Sequence, residues 1–235
     1  MGLITKDSND IIIACDVKDI DTLEKLVYST CDLDGVGGYK VGALLGLKFG
    51  LGNIVEKVGK ACPLPVIYDH QKAMTDIPEL GSDFVEIVKE SGVKAMIGFP
   101  QAGPATEEAW INACKSKGLE VIIGGAMTHS KYLASEGGYI SDSAVDGMYL
   151  LAKQLSVNNF VVPGNKPELI EHFLNILKGT RNLSFFAPGY IAQGGKIQQL
   201  EISNFHPIVG RAIYESADFR SATKRIIDGF NGKQE

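Results

Sequence analysis

The chain has 235 residues, 45% of them hydrophobic and 22% charged, and a chain of that length can bury a core without staples. Its formal net charge of −5 argues against a broad nucleic-acid surface, although a local cluster of cations can still hold a small anion. No stretch approaches the ~18 consecutive apolar residues of a membrane span.

In chain order, the opening MGLITKDSND lacks the apolar core of a signal peptide, and Lys6 stands where a myristoylation signal needs Ser or Thr. A cytoplasmic protein is expected. The first strand candidate is IIIACDV (11–17), followed by the helical pattern DIDTLEKLVYST. GGYKVG (37–42), PVIYD (65–69), KAMIGF (94–99) and EVIIGGAM (120–127) come next. NFVVPG (159–164), LSFFAPG (183–189) and HPIVGR (206–211) complete a set of eight. These are continuous apolar runs rather than alternating ones, as expected of strands covered on both faces. Among the intervening helices, KPELIEHFLNILK is well punctuated. Asn165 is placed to cap it, Pro167 and Glu168 fall in its first turn, and Gly179 follows its end.

No composition shift marks a linker, so a single domain over 1–235 is expected. Eight β/α units in this length predict a (β/α)8 TIM barrel. The alternative is a doubly wound open sheet, which would want a glycine-rich loop after the first strand, and CDVKDID has none. The four cysteines show no CxxC spacing, and Cys15 and Cys114 read as small core side chains. The four histidines show no metal-ligand spacing either, so no metal is expected.

A barrel of this kind works at the C-terminal ends of its strands. Those ends read Asp16, Lys40, Asp69 with Lys72, Thr128, Pro163 with Gly164, Pro188 with Gly189, and Gly210 with Arg211, so charged residues gather on one rim while the strand bodies stay apolar. Asp16 also suits the capping of the helix near Asp19. Lys40 lies among small and apolar residues, where an unpaired lysine is costly, so it should face an acid. Thr128 and His129 suit either a ligand contact or the N-cap of a helix starting near Tyr132. APGYIAQGGKI (187–197) is rich in glycine but lacks the lysine of a triphosphate loop. Loops after the seventh and eighth strands are the usual phosphate grip of this fold, and Arg211 can bind phosphate bidentately.

VIYDHQKAMTDIP (66–78) puts Asp69, Lys72 and Asp76 directly after a buried strand. Their spacing would fit a helical ion-pair face, but Pro78 disfavours helix at residue 77 and the apolar pattern is sparse. A working site is the better reading.

Asp16, Lys40, DHQKAMTDIP, PGYIAQGG and VGRAIY together resemble the orotidine 5′-monophosphate decarboxylase family over nearly the whole chain, in an archaeal-type form. The resemblance implies a (β/α)8 homodimer that converts orotidine 5′-monophosphate to UMP in pyrimidine biosynthesis, without metal or organic cofactor. It implies that Asp16 holds ribose hydroxyls and that Lys40 bridges ribose and the charge network. Asp69 and Lys72 would flank the scissile carboxylate, with Asp76 reaching into the partner subunit's site. Thr128 would face the pyrimidine, while Pro188, Gln193, Gly194, Gly210 and Arg211 would surround the phosphate. The segment 188–205 would be the lid.

The chain departs from the family in three places. The usual D-x-K-x-x-D becomes D-x-x-K-x-x-x-D, so a bulge or early turn must bring Asp69 and Lys72 together. Leu80 replaces a ribose-contacting threonine, and Ile191 a glycine of the phosphate loop. Two rival readings are a Mg2+-dependent aldolase or decarboxylase like 3-hexulose-6-phosphate synthase, against which Gln193 argues, and a non-catalytic barrel that binds a phosphate ligand.

Overall fold

The first apolar run pairs on both sides, and that closes the sheet. In the computed structural model of the protein, which describes residues 9–71, 73–190, 202 and 204–230, β1 (Ile11–Ala14) lies parallel to β2 (Val36–Gly42) and also to β8 (Phe205–Val209). Between them run β3 (Val66–Asp69), β4 (Ala95–Gly98), β5 (Glu120–Ile123), β6 (Asn159–Val161) and β7 (Ser184–Pro188). Each is parallel to its neighbour, and the eight strands close a barrel in chain order. This is the expected TIM barrel and not the open sheet.

Side-chain alternation splits the core in two. Ile12, Ala14, Ile67, Ala95, Ile97 and Phe186 are among those that fill the barrel interior. Their neighbours, such as Ile11, Ile13, Val66, Tyr68 and Met96, face outward into the layer shared with the helices. Around the barrel lie α1 (Ile20–Thr30), α2 (Ala43–Phe49), α3 (Leu51–Ala61), α4 (Gly81–Glu90) and α5 (Pro104–Ser116). They continue with α6 (Asp142–Gln154), α7 (Pro167–Ile176), α8 (Arg211–Tyr214) and α9 (Phe219–Phe230). α1 buries Leu23, Leu26, Val27 and Thr30, a stripe at helical spacing, and the Asp19 carboxylate caps it by accepting from the Thr22 amide at 2.8 Å. Asp16 is therefore not the cap of this helix.

Several local expectations are corrected. Most strands stop earlier than the apolar runs do: β5 ends at Ile123 and β6 at Val161, although the Gly124, Val162 and Gly164 amides still donate to the Gly98, Phe186 and Pro188 carbonyls. No helix starts near Tyr132. A 3-10 turn at Ala134–Glu136 lies there instead, and the next helix is α6. Asn165 does not cap α7, whose N-cap is Lys166; the Asn165 amide turns away to donate to the Thr128 carbonyl at 2.9 Å. Cys15 and Cys114 are buried as expected, but Cys31 and Cys62 form a disulfide. The two lie 31 residues apart at the C-caps of α1 and α3, a proximity that only the packing of those helices creates.

Candidate active site

Lys40 points into the barrel from β2 and is 7% exposed. Its ammonium donates to Asp69 Oδ2 at 2.7 Å and to Asp16 Oδ1 at 3.5 Å. Strand register explains the meeting: Lys40 pairs with Ala14 on one side, two residues before Asp16, and with Ile67 on the other, two before Asp69. Three side chains on three adjacent strands thus face the same interior. Burial pulls the lysine's pKa down, but the charges of Asp69 and Asp16 outweigh it and hold the pKa above 10.5. Lys40 stays an ammonium at neutral pH, as the cost of burying it unpaired requires.

The trio leaves one acid in excess. Asp69 is almost wholly buried, and its Oδ1 has no hydrogen-bond partner among the described residues. A buried carboxylate oxygen without a donor is costly, so this atom marks a place for a donor or cation. Asp16, by contrast, is half exposed and opens to the outside. Both line a cleft of about 650 Å³ at the C-terminal rim, together with Lys18, Lys48, His70 and Gln71. Lys18 and Lys48 were missed in the sequence, where neither belongs to a motif. Among the described residues, no group of three or more His, Cys, Asp or Glu side chains could hold a metal ion.

The far side of the rim is built from β5 to β8. Pro188 ends β7 opposite Ile208 of β8, which places Pro188 and Gly189 beside the chain leading to Gly210 and Arg211. Gly189 has a φ of 82°, and a Cβ there would meet Thr128 Cγ2 at 3.3 Å, so glycine lets these two loops touch. Gly164 is held against the same loop, its amide donating to the Pro188 carbonyl at 2.8 Å. A Cβ on Gly210 would come within 3.1 Å of Tyr214. Arg211 is exposed at the start of α8. Thr128, Pro188, Gly189 and Gly210 are thereby gathered on one part of the rim.

Asp76 stands apart from the Lys40 trio in its contacts. It is exposed, and its carboxylate accepts from the amide of the next residue, Ile77, at 2.7 Å. Leu80 follows in a short 3-10 turn, half exposed. Lys72, Gln193, Gly194 and Ile191, with most of the expected lid, lie outside the described residues.

The family model described as "Orotidine 5'-phosphate decarboxylase / HUMPS family" matches residues 9–226. A protein named orotidine 5′-phosphate decarboxylase from Methanococcus maripaludis is 31% identical over 220 residues, covering 92% of this chain and 94% of its own. One of the same name from Pyrococcus abyssi is 30% identical over 224 residues, covering 95% and 100%. Among solved structures, the orotidine 5′-monophosphate decarboxylase of Methanocaldococcus jannaschii complexed with the inhibitor BMP superposes with a TM-score of 0.80 at 28% identity, covering 95% of this chain and 99% of that one.

Proposed function

The chain belongs to the orotidine 5′-phosphate decarboxylase / HUMPS family, and from that premise we infer that it converts orotidine 5′-monophosphate to UMP and CO2 as a carboxy-lyase of pyrimidine biosynthesis. The observation that carries this reading is the Asp16–Lys40–Asp69 network at the C-terminal rim, with a buried Lys40 and an Asp69 oxygen that has no partner among the described residues. The curated relatives named above share the decarboxylase name, which favours that branch of the family over the aldolase branch.

In this mechanism Asp16 and Lys40 take the ribose hydroxyls, and Asp69 faces the substrate carboxylate. Lys72 supplies the ammonium that Asp69 Oδ1 lacks. The C6–carboxylate bond breaks, its electron pair stays on C6, and CO2 leaves. Lys72 stabilises that charge and then donates its proton to C6. No adjacent group in the ring can delocalise the pair, so the fixed ammonium must do most of the electrostatic work. Thr128 faces the pyrimidine. Pro188, Gln193, Gly194, Gly210 and Arg211 grip the phosphate, whose remote binding energy helps assemble the site. No cofactor enters these steps.

The enzyme acts as a cytoplasmic homodimer in which Asp76 completes the partner's site. Support for the dimer is the exposed apolar set Leu44, Leu47, Ile77 and Leu80, which follows β2 and β3 on the same rim as the cleft and flanks Asp76. No helix among the described residues is long and apolar enough to cross a membrane.

The test is turnover of orotidine 5′-monophosphate in EDTA, followed by loss of the orotate chromophore, beside Lys72→Ala. Metal-independent UMP formation that falls at least ~10³-fold in the variant is expected of a group that acts on the reacting carbon. Tight nucleotide binding without turnover would point instead to a non-catalytic barrel, and turnover only with Mg2+ to the aldolase-like branch.

A further inference from the structure

The parallel ladder between β3 and β4 slips at its C-terminal end. The Lys94 amide donates to the Val66 carbonyl at 2.9 Å, and the Phe99 amide donates to the Ala73 carbonyl at 3.0 Å. From Lys94 to Phe99 one chain advances five residues, while its neighbour advances seven, from Val66 to Ala73. Two residues are therefore looped out between Asp69, still paired with Ile97, and Ala73. That surplus equals the extra length of D-x-x-K-x-x-x-D over D-x-K-x-x-D.

The loop is held at three places. At its start, the Tyr68 hydroxyl and His70 Nδ1 are 2.9 Å apart, and the His70 ring packs 5.3 Å from Phe84. At its far end, Thr106 donates to the Asp76 carbonyl at 2.8 Å and Trp110 to the Ile77 carbonyl at 3.2 Å. In the middle, the Ala73 amide donates to the His70 carbonyl at 2.7 Å, and Met74 follows with a φ of 69°. This left-handed conformation is unfavourable for any side-chain-bearing residue, and Met74 is fully buried. Its thioether lies flat on Gly98: a Cβ there would come within 2.9 Å of Sδ and 3.1 Å of Cγ and Cε. A glycine at 74 would adopt the backbone freely but would leave this wedge unfilled.

We propose that Met74 is a positioning residue for the decarboxylation: its left-handed backbone and its thioether on Gly98 close the two-residue bulge and thereby fix the chain leading away from position 72, the lysine that the mechanism inferred above requires. The proposal rests on the function inferred above. It assigns a role to a buried methionine that never touches the substrate, and it makes Gly98 the matching half of the device.

The experiment compares the wild type with Met74→Leu, Met74→Ala, Met74→Gly, Gly98→Ala and the Met74→Ala/Gly98→Ala pair. It measures kcat, KM for orotidine 5′-monophosphate, Kd for UMP and the melting temperature. In variants folded at the assay temperature, Ala and Gly at 74 should lower kcat by about 10–100-fold, the scale of a small misplacement of a reacting group, with KM and Kd nearly unchanged. Leucine should recover most of the loss. Gly98→Ala should lower kcat in the same selective way, and removing the methionine it strikes should restore part of it. If the Met74 variants melt earlier but keep wild-type kcat, or if kcat merely tracks the folded fraction, the methionine is only packing and the proposal is overturned. Should Gly98→Ala fail to fold, the leucine–alanine contrast still decides. A wild type without turnover would overturn the decarboxylase reading itself, and this inference with it.

Discussion

Glu107 is an acid held where an acid is costly. It sits in the first turns of α5, 2% exposed, and its Oε1 has no partner among the described residues. Burial pushes its pKa from 4.5 up to about 8. The native state therefore keeps a proton that the unfolded chain releases. Below pH 4.5 both states are protonated and the residue is neutral to stability. Between pH 4.5 and 8 the unfolded chain ionises first, so stability falls as pH rises, and the full cost of roughly 3–5 kcal/mol is reached above pH 8. Glu107→Gln does not titrate. The melting temperature of the wild type should drop relative to the variant across that window, and the two should run parallel below it. Parallel curves over the whole range would show that Glu107 is not held neutral. Some single residues were legible in the sequence and some were not. Lys40 could be paired with acids because a lysine inside an apolar strand demands a partner. Glu107 and Met74 gave no such signal, since burial on a helix and a left-handed φ leave no trace in spacing.

Elements were read well at their centres and poorly at their ends. Six of the eight strands fall inside the apolar runs that predicted them, and β2 and β8 each begin one residue before theirs, because a strand covered on both faces must be apolar throughout. The runs overreach at Gly124–Gly125 and Pro163–Gly164, which lie past the strand ends even though the Gly124 and Gly164 amides still donate to the Gly98 and Pro188 carbonyls. A bulge or early turn after Asp69 was expected from the opposed faces of an ideal strand, and the ladder does slip between Asp69 and Ala73, but the means by which it is held was not foreseen. The disulfide was missed because α1 and α3 bring Cys31 and Cys62 together only after packing. Closing a 31-residue loop should contribute about 3–4 kcal/mol, chiefly through the unfolded chain. Cys31→Ala/Cys62→Ala should therefore melt about 10 °C lower. Both cysteines end helices that lead back to strand starts, at the pole away from Lys40, so kcat at 25 °C should not change. A loss of kcat without a loss of melting temperature would contradict this division between the two poles.

At the scale of the whole molecule, the rim that holds the cleft also bears Leu44 at 84%, Leu47 at 83% and Ile77 at 54% exposure. In the proposed homodimer this surface is covered. Leu47→Glu with Ile77→Glu should shift sedimentation from dimer to monomer, and activity should fall with it because Asp76 then reaches no partner site. A fully active monomer would separate Asp76 from the chemistry. The barrel's closure has a consequence in time as well as in space. β1, whose end bears Asp16, finds its second neighbour only in β8, and the Phe205 amide reaches back across 196 residues to the Asn9 side chain. At about 5–20 residues per second on a ribosome, the first strand waits roughly 10–40 s as an open edge before the last is made. A nascent chain arrested before Phe205 holds Lys40 and Asp69 but cannot close around them, so its vulnerability to aggregation lies in the oldest part of the chain and not the newest.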